Sequence, residues 1–391
     1  LQSAGFIDEV SNPLTLSLNI PGTIAPALDT MATARALHQM TDLGNGQVLI
    51  SGGGPLDLSN PVGASKSCEI HEVATETNAL TGSMSVARAV HTATRLADGR
   101  VLVTGGVDEG HTSPGGAPYV QVQNTAEIFD PAAGSWTTLS ASMKQFRVGH
   151  QAVLMNDGRV LITGGAKGVN KGYANNVIEV DTDLTDSVMN KAEIFNPANN
   201  TFTAVGNMNE KKAGHGSAVL PNGKVLVAGG LSTVTIFFIE IPALSKKCRL
   251  FNPSTNGWQS AGDMKRARAL FGMTPLPDGR VLATGGIGGD ILSPSFEGKV
   301  EIFNTSAWSI LGDLAFPRNT HSATALADGR VLVAGGAAGN LSGSTFTTDS
   351  TEIVDPNAST VVPGPQMIAA RGGHKAVLLS DNTVLLAGGT D

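Results

Sequence analysis

The chain has 391 residues, of which 41% are apolar, 15% charged and 5% aromatic, enough for a packed core and too apolar for a disordered tail. Its 48 Gly and 19 Pro follow no Gly-X-Y period, which excludes collagen, and with so few charges they favour short strands and tight turns over long helices. A net charge of −7 argues against nucleic acid as a partner. No apolar run reaches the roughly 18 to 20 residues of a spanning helix, so membrane insertion is not expected.

Two short strands are predicted near the N-terminus, about Thr15 to Ile20 and Thr23 to Leu28. Leu1 opens no charged-then-apolar leader, which reads as an export signal already removed. From Met31 onward the chain repeats itself. Gly-Gly pairs stand at 52, 105, 164, 229, 285, 335 and 388, at spacings of 53, 59, 65, 56, 50 and 53 residues, a period suited to a four-stranded unit. Each copy opens on an apolar anchor (Met31, Met84, Met143, Met208, Met264, Leu314, Met367). Four residues later comes a cation (Arg35, Arg88, Arg147, Lys212, Arg268, Arg318, Arg371), and three further on His38, His91, His150, His215, Phe271, His321 or His374. A first strand then leads to Asn-Gly or Asp-Gly, as at Asp98-Gly99, which predicts a two-residue type I′ hairpin. The second strand ends on the Gly-Gly pair. After a loop of 15 to 28 residues the third strand opens on Glu in five copies, and the fourth carries Trp136, Phe202, Trp258 or Trp308. The seventh copy stops at Asp391 after two strands. The predicted N-terminal pair would supply its third and fourth, so the expected organisation is one domain over 1–391 whose last blade is built from about 367–391 plus about 15–30.

Arg-x-x-His, Asp-Gly-Arg-Val-Leu-Val-x-Gly-Gly and Glu-Ile-Phe-Asp-Pro with a Trp five residues beyond together resemble kelch repeats, and the resemblance covers essentially the whole chain. It implies an all-β fold, a seven-bladed β-propeller whose first strands line a central channel, most similar to the bacterial type also found in the propeller of galactose oxidase. Kelch propellers include binders and enzymes alike, so the likeness bears on architecture rather than activity. The copper site of galactose oxidase implies two Tyr, two His and a Cys joined to one Tyr. Here Tyr119 and Tyr173 are the only tyrosines and neither adjoins a Cys, while Cys68 and Cys248 open third strands of non-neighbouring copies and read as buried free thiols.

In such a meander the second-to-third connection and the link between blades emerge on one face. That face also varies most in length, which makes it the expected functional face. The seven cations begin the first strands there. Five of them meet a third-strand Glu at reach of an extended side chain, which predicts structural ion pairs. The fourth copy departs from this: Lys212 faces Arg249 where others have Glu, with Lys211, Lys246 and Lys247 beside them, and Arg371 also lacks a third-strand Glu. These six are the candidate anion-binding residues. The histidines diverge around a ring and are read as packing between blades, not as metal ligands. The apolar stretch 234–241, with Phe237 and Phe238, is a candidate contact patch, and Tyr119 and Tyr173 stand in long loops as further ligand-binding candidates. Asp181, Asp183 and Asp186, near Glu179, offer oxygen ligands to calcium as a cofactor, though without the Gly and terminal Glu of an EF-hand loop. The functional expectation is an extracytoplasmic, non-catalytic module that binds a protein or glycan through its long-loop face. The alternative is a sugar-acting enzyme with its site at the channel mouth.

Overall fold

The computed structural model describes residues 5–9, 15–19, 23–27, 30–54, 63–112, 118–170, 178–180, 184–236, 239–290, 293–339 and 345–391. Strands dominate; the described helix is a single turn, Leu184–Ser187. Six sheets are four-stranded antiparallel meanders. The second is typical: Thr92–Arg95, Val101–Thr104, Ala126–Asp130 and Ser135–Thr138, in which Val103 faces Glu127 and Phe129 faces Trp136 across the ladders. Its counterparts begin at Gln39, Gln151, Gly216, Gly272 and Ser322.

The apolar runs form second strands because both faces of those strands are covered. Val101–Thr104, Val160–Thr163, Val225–Ala228, Val281–Thr284 and Val331–Ala334 are buried at every residue, which is why they read as continuous rather than alternating patterns. The core lies between successive sheets. Leu102 and Ile128 of the second sheet, for example, meet Val160, Ile162 and Phe195 of the third. Each fully buried Val, Leu or Ile contributes about 1.5 to 3 kcal/mol. On the third and fourth strands a Phe–Trp pair, 5.1 Å between ring centroids for Phe129 and Trp136, covers the outer end.

The last sheet packs back on the first: Leu379 and Leu385 bury against Val48. First strands touch in sequence, Gln39–Asp42 against Thr92–Arg95 and onward to Lys375–Leu378, which again meets Gln39–Asp42. That last sheet takes its remaining strands from the N-terminus, in an order other than the predicted one. Gly5–Glu9 lies parallel to Thr383–Ala387 in the third place, with Ile7 opposite Leu385; Thr23–Ala27 and then Thr15–Asn19 lie outside it.

The hairpins also differ from expectation. Leu96 N–H donates to Arg100 O and Gly99 N–H to Leu96 O, closing a three-residue loop in which Gly99 alone takes a positive φ, 89°. This is a type I turn followed by a left-handed residue, not a two-residue type I′ turn. Asp98 therefore does not need the left-handed region. Its carboxylate caps the turn, accepting from Arg100 N–H at 3.1 Å and pairing with the guanidinium. Asn382, φ 68°, stands where the other copies have Gly, as one of the few residues tolerant of that region.

Candidate functional site

The ring of cations is a buried girdle rather than an open collar. Arg35, Arg88, Arg147, Arg268 and Arg318 pair with Glu69, Glu127, Glu193, Glu301 and Glu352 at 2.7 to 3.2 Å, all buried. Each guanidinium also donates to the carbonyl of the first Gly of its own Gly-Gly pair, as Arg88 does to Gly105 O at 2.9 Å. The carboxylates accept in turn from the backbone ahead of the Arg, as Glu69 does from Ala32 N–H at 2.7 Å. With the carboxylate and the terminal guanidinium nitrogens both engaged, the pair ties one end of each sheet together.

The fourth copy, where the sequence lacks the Glu, supplies other partners. Lys212 is buried and donates to Gly229 O and Lys247 O at 3.0 and 2.9 Å, with Glu210 at 3.3 Å. Glu210 also pairs with Arg249 at 2.8 Å, Lys247 pairs with Asp263 at 2.7 Å, and Lys211 meets Glu240. Lys246 is exposed. The cluster thus brings its own carboxylates, which spacing along the strand could not reveal because Glu210 lies outside the third strand. Arg371 is buried and donates to Gly388 O at 3.0 Å.

The histidines pack from sheet to sheet. His91 Nε2 meets Ser51 Oγ at 3.3 Å, His150 meets Thr104 Oγ1 at 3.0 Å, His215 meets Thr163 Oγ1 at 2.8 Å and His321 meets Thr284 Oγ1 at 3.0 Å, in each case on the preceding sheet. Each ring edge sits over the first Gly of that sheet's pair, so close that a Cβ on Gly105 would fall 2.7 Å from His150 Cε1. Burial, reinforced by the adjacent cations, pushes His91, His215 and His321 down to about 3. Phe271 stands in the His row at one junction, its ring over Gly229 beside Ala228; the same small residue recurs as Ala334 and Ala387 ahead of His374 and His38, and His374 Nε2 there meets Ser322 Oγ at 3.0 Å instead.

Between first strands runs a central cavity of about 330 Å³, lined by Gln39, Thr92, Gln151 and Lys375 below a ring of left-handed residues. Leu37, Val90, Leu270 and Thr320 hold φ of 51° to 55°, and Gly149, Gly214 and Gly373 take the same place in the other copies. For β-branched Val90 and Thr320 this is strained backbone, sustained because the hydrogen bonds on either side, such as Ala89 N–H to Val107 O, fix the chain. Lys375 was not singled out by the repeat reading. Its signal is a register one: it is the sole charged residue at the position after His, where the other copies have Gln39, Thr92, Gln151, Gly216, Gly272 and Ser322.

The long connections fold into two-stranded hairpins on the same face, among them Leu231–Ile236 with Ile239–Leu244 and Ala337–Gly339 with Thr345–Thr347. Val234 and its register partner Ile241 are 44% and 37% exposed. Asp108 anchors the second copy's hairpin, accepting from His111, Gln121 N–H and Gln123, and burial pushes its carboxyl up. Tyr119 ends the short strand Pro118–Tyr119. Tyr173, Phe237, Phe238, Asp181 and Asp183 lie outside the described residues. Asp186 is exposed and pairs with Lys167 at 2.7 Å.

Cys68 and Cys248 are buried free thiols in separate sheets, pushed up to about 11 by burial. Among the described residues no three of His, Cys, Asp and Glu stand together to hold a metal ion. The described side chains therefore do not fit a copper centre.

No family model matches the chain. Among curated proteins it is 23% identical over 239 residues to the tRNA wybutosine-synthesizing protein 4 of Candida albicans, covering 60% of this chain and 32% of that protein. The chain thus spans about a third of the length of that relative. Among solved structures it superimposes on a fungal alcohol oxidase of the AA5 family, in complex with copper, with a TM-score of 0.64 and 18% identity over 91% of this chain and 70% of that one. It also superimposes on YjhT with a TM-score of 0.58 and 15% identity over 85% of this chain and 98% of that one. At such identities the likeness concerns the fold: an all-β, propeller-like arrangement of antiparallel four-stranded sheets.

Proposed function

We propose that the chain is a closed, seven-bladed propeller of the kelch type, of bacterial origin, acting outside the cytoplasm as a non-catalytic module that binds a protein or glycan on its hairpin face. The observation that carries this reading is the asymmetry between the two faces. The Asp-Gly turns are near copies of one another. On the opposite face the connections vary in length, rise as hairpins and leave large apolar side chains uncovered: Val234, Ile241, Leu270, Phe316, Phe346 and Ile368 are 37% to 54% exposed. The packing of Leu379 and Leu385 on Val48 supports closure. The Arg and His rows, the most regular polar residues of the repeat, are engaged in holding the sheets and leave recognition to the hairpins.

A glycan array probed with the purified protein, with calcium and then with a chelator, tests the glycan arm. Binding that weakens at least tenfold in Val234→Ser/Ile241→Ser/Phe346→Ser supports the face assignment, and unchanged binding by that variant overturns it. Chelator-sensitive binding would assign calcium to the Asp181, Asp183 and Asp186 loop. A second reading, a sugar-acting enzyme at the channel mouth, is favoured by the strained ring at Val90 and Thr320, since such backbone clusters at working sites. Turnover of a sugar that survives Val90→Gly and Thr320→Gly unchanged would count against it.

A further inference from the structure

The central cavity holds one cation that the repeat does not explain. Lys375 opens the strand Lys375–Leu378 and lines the cavity beside Gln39, Thr92 and Gln151. The buried cations of the girdle have carboxylate or carbonyl partners, whereas neither Lys375 nor Gln151 gives its side chain to another described residue. Burial alone pushes the Lys375 ammonium below its ordinary range, with no acidic group opposing the shift. The titratable groups coupled to it are the imidazoles of His38, His91 and His374, each held neutral by burial, so none supplies a negative charge. Gln39 gives its N–H to His91 O at 2.7 Å and keeps its amide oxygen for another donor.

We propose that this cavity binds a small organic carboxylate, whose anionic group neutralises Lys375 while its remaining polar atoms meet the amides of Gln39 and Gln151. A partly desolvated ammonium without a counter-ion is unfavourable, and a ligand anion removes that penalty where no protein group does. The volume, about 330 Å³, lies at the small end of the ~300 to 1,000 Å³ of ligand pockets, which suits a ligand of monosaccharide size or less. Chemistry sets the pH behaviour: the carboxylate requires the protonated amine, so affinity falls as pH rises through the lowered pKa of Lys375. The assignment does not depend on what the hairpin face binds, because its ligand enters the channel.

The test is calorimetric titration of the whole chain with lactate, glucuronate and benzoate, with glucose and inorganic phosphate as controls, in the wild type, Lys375→Met and Lys375→Arg. At least one carboxylate is expected to bind the wild type, to weaken tenfold or more in Lys375→Met, to recover in part in Lys375→Arg, and to weaken as pH rises. Glucose should give the same weak or absent signal in all three. Lys375→Met is expected to melt at or above the wild-type temperature, since it removes a partly buried charge that no described carboxylate compensates; a melting scan thereby separates loss of the site from loss of the fold. Wild-type affinity in a folded Lys375→Met, no response of the wild type to any of the three carboxylates, or tighter binding of phosphate than of all three would overturn the proposal.

Discussion

The His–hydroxyl contacts between sheets predict a specific acid sensitivity. His215 is fully enclosed, its Nε2 meets Thr163 Oγ1 at 2.8 Å and its Nδ1 has no acceptor, so a second proton would place an N–H against nothing. Burial lowers its pKa from 6.5 to about 3, while the unfolded chain keeps the ordinary value. Between these two values the unfolded state binds the extra proton, so stability is lost as pH falls below 6.5, by about 1.4 kcal/mol per pH unit. At pH 5 this one side chain costs about 2 kcal/mol, and His91 and His321, also at about 3, cost as much each. The protein already contains the remedy at one junction, where Phe271 packs over Gly229 beside Ala228. Transplanting it as His215→Phe/Thr163→Ala removes donor and acceptor together, which is close to neutral at pH 8. Urea unfolding from pH 8 to 4 should show the variant losing less stability than the wild type on acidification, by about 2 kcal/mol at pH 5. An unchanged pH slope would refute the assignment of a neutral, enclosed His215.

Three further outcomes follow from the packing. Arg147→Met leaves Glu193 buried at 1% exposure without its cation and should cost about 3 to 5 kcal/mol in urea unfolding, whereas removing the half-buried Arg159 from the solvent-facing Asp157 should cost no more than about 1 kcal/mol. Gly99→Ala meets open space and should cost about 1 to 2 kcal/mol for its positive φ alone, while Gly105→Ala would put a methyl 2.6 Å from Arg147 O and is expected to abolish soluble expression. Cys68 and Cys248, with thiols raised to about 11, should resist iodoacetamide at pH 8 in the folded protein and react once it is unfolded in urea; rapid native labelling would contradict their burial.

What could be read from the residues alone was whatever the repeat wrote several times. Apolar second strands, a Glu opening the third strand and Gly-Gly at the strand end recur, and each recurrence constrains the same geometry, so their roles in the sheets are legible. Local chemistry without a second copy was read less well. Asp-Gly is compatible with two hairpin types, and only the hydrogen bond from Leu96 N–H to Arg100 O distinguishes them. The order of the N-terminal strands depends on long-range pairing that leaves no mark on five-residue segments such as Gly5–Glu9. Glu210 was passed over as counter-ion to Lys212 and Arg249 because it precedes the cation by two residues, where no other copy has a carboxylate.

These differences share a cause that bears on function. In a repeat, each copy holds the next, so a residue engaged in that holding has no freedom left for a ligand, and regularity is the mark of engagement. His91, Arg88 and Gly105 illustrate it: the ring covers the Gly of the preceding sheet, the guanidinium meets the Gly carbonyl of its own, and neither can turn outward without opening the junction. The places able to recognise something else are those where the pattern lapses. Lys375 among uncharged counterparts, Phe271 among histidines and the unequal hairpins above the channel are three such lapses. The Phe271 exception stays within the packing, its ring over Gly229 of the preceding sheet, whereas Lys375 is answered by no described side chain. An exception answered internally is packing; one left unanswered, facing a cavity, is where a ligand completes the structure.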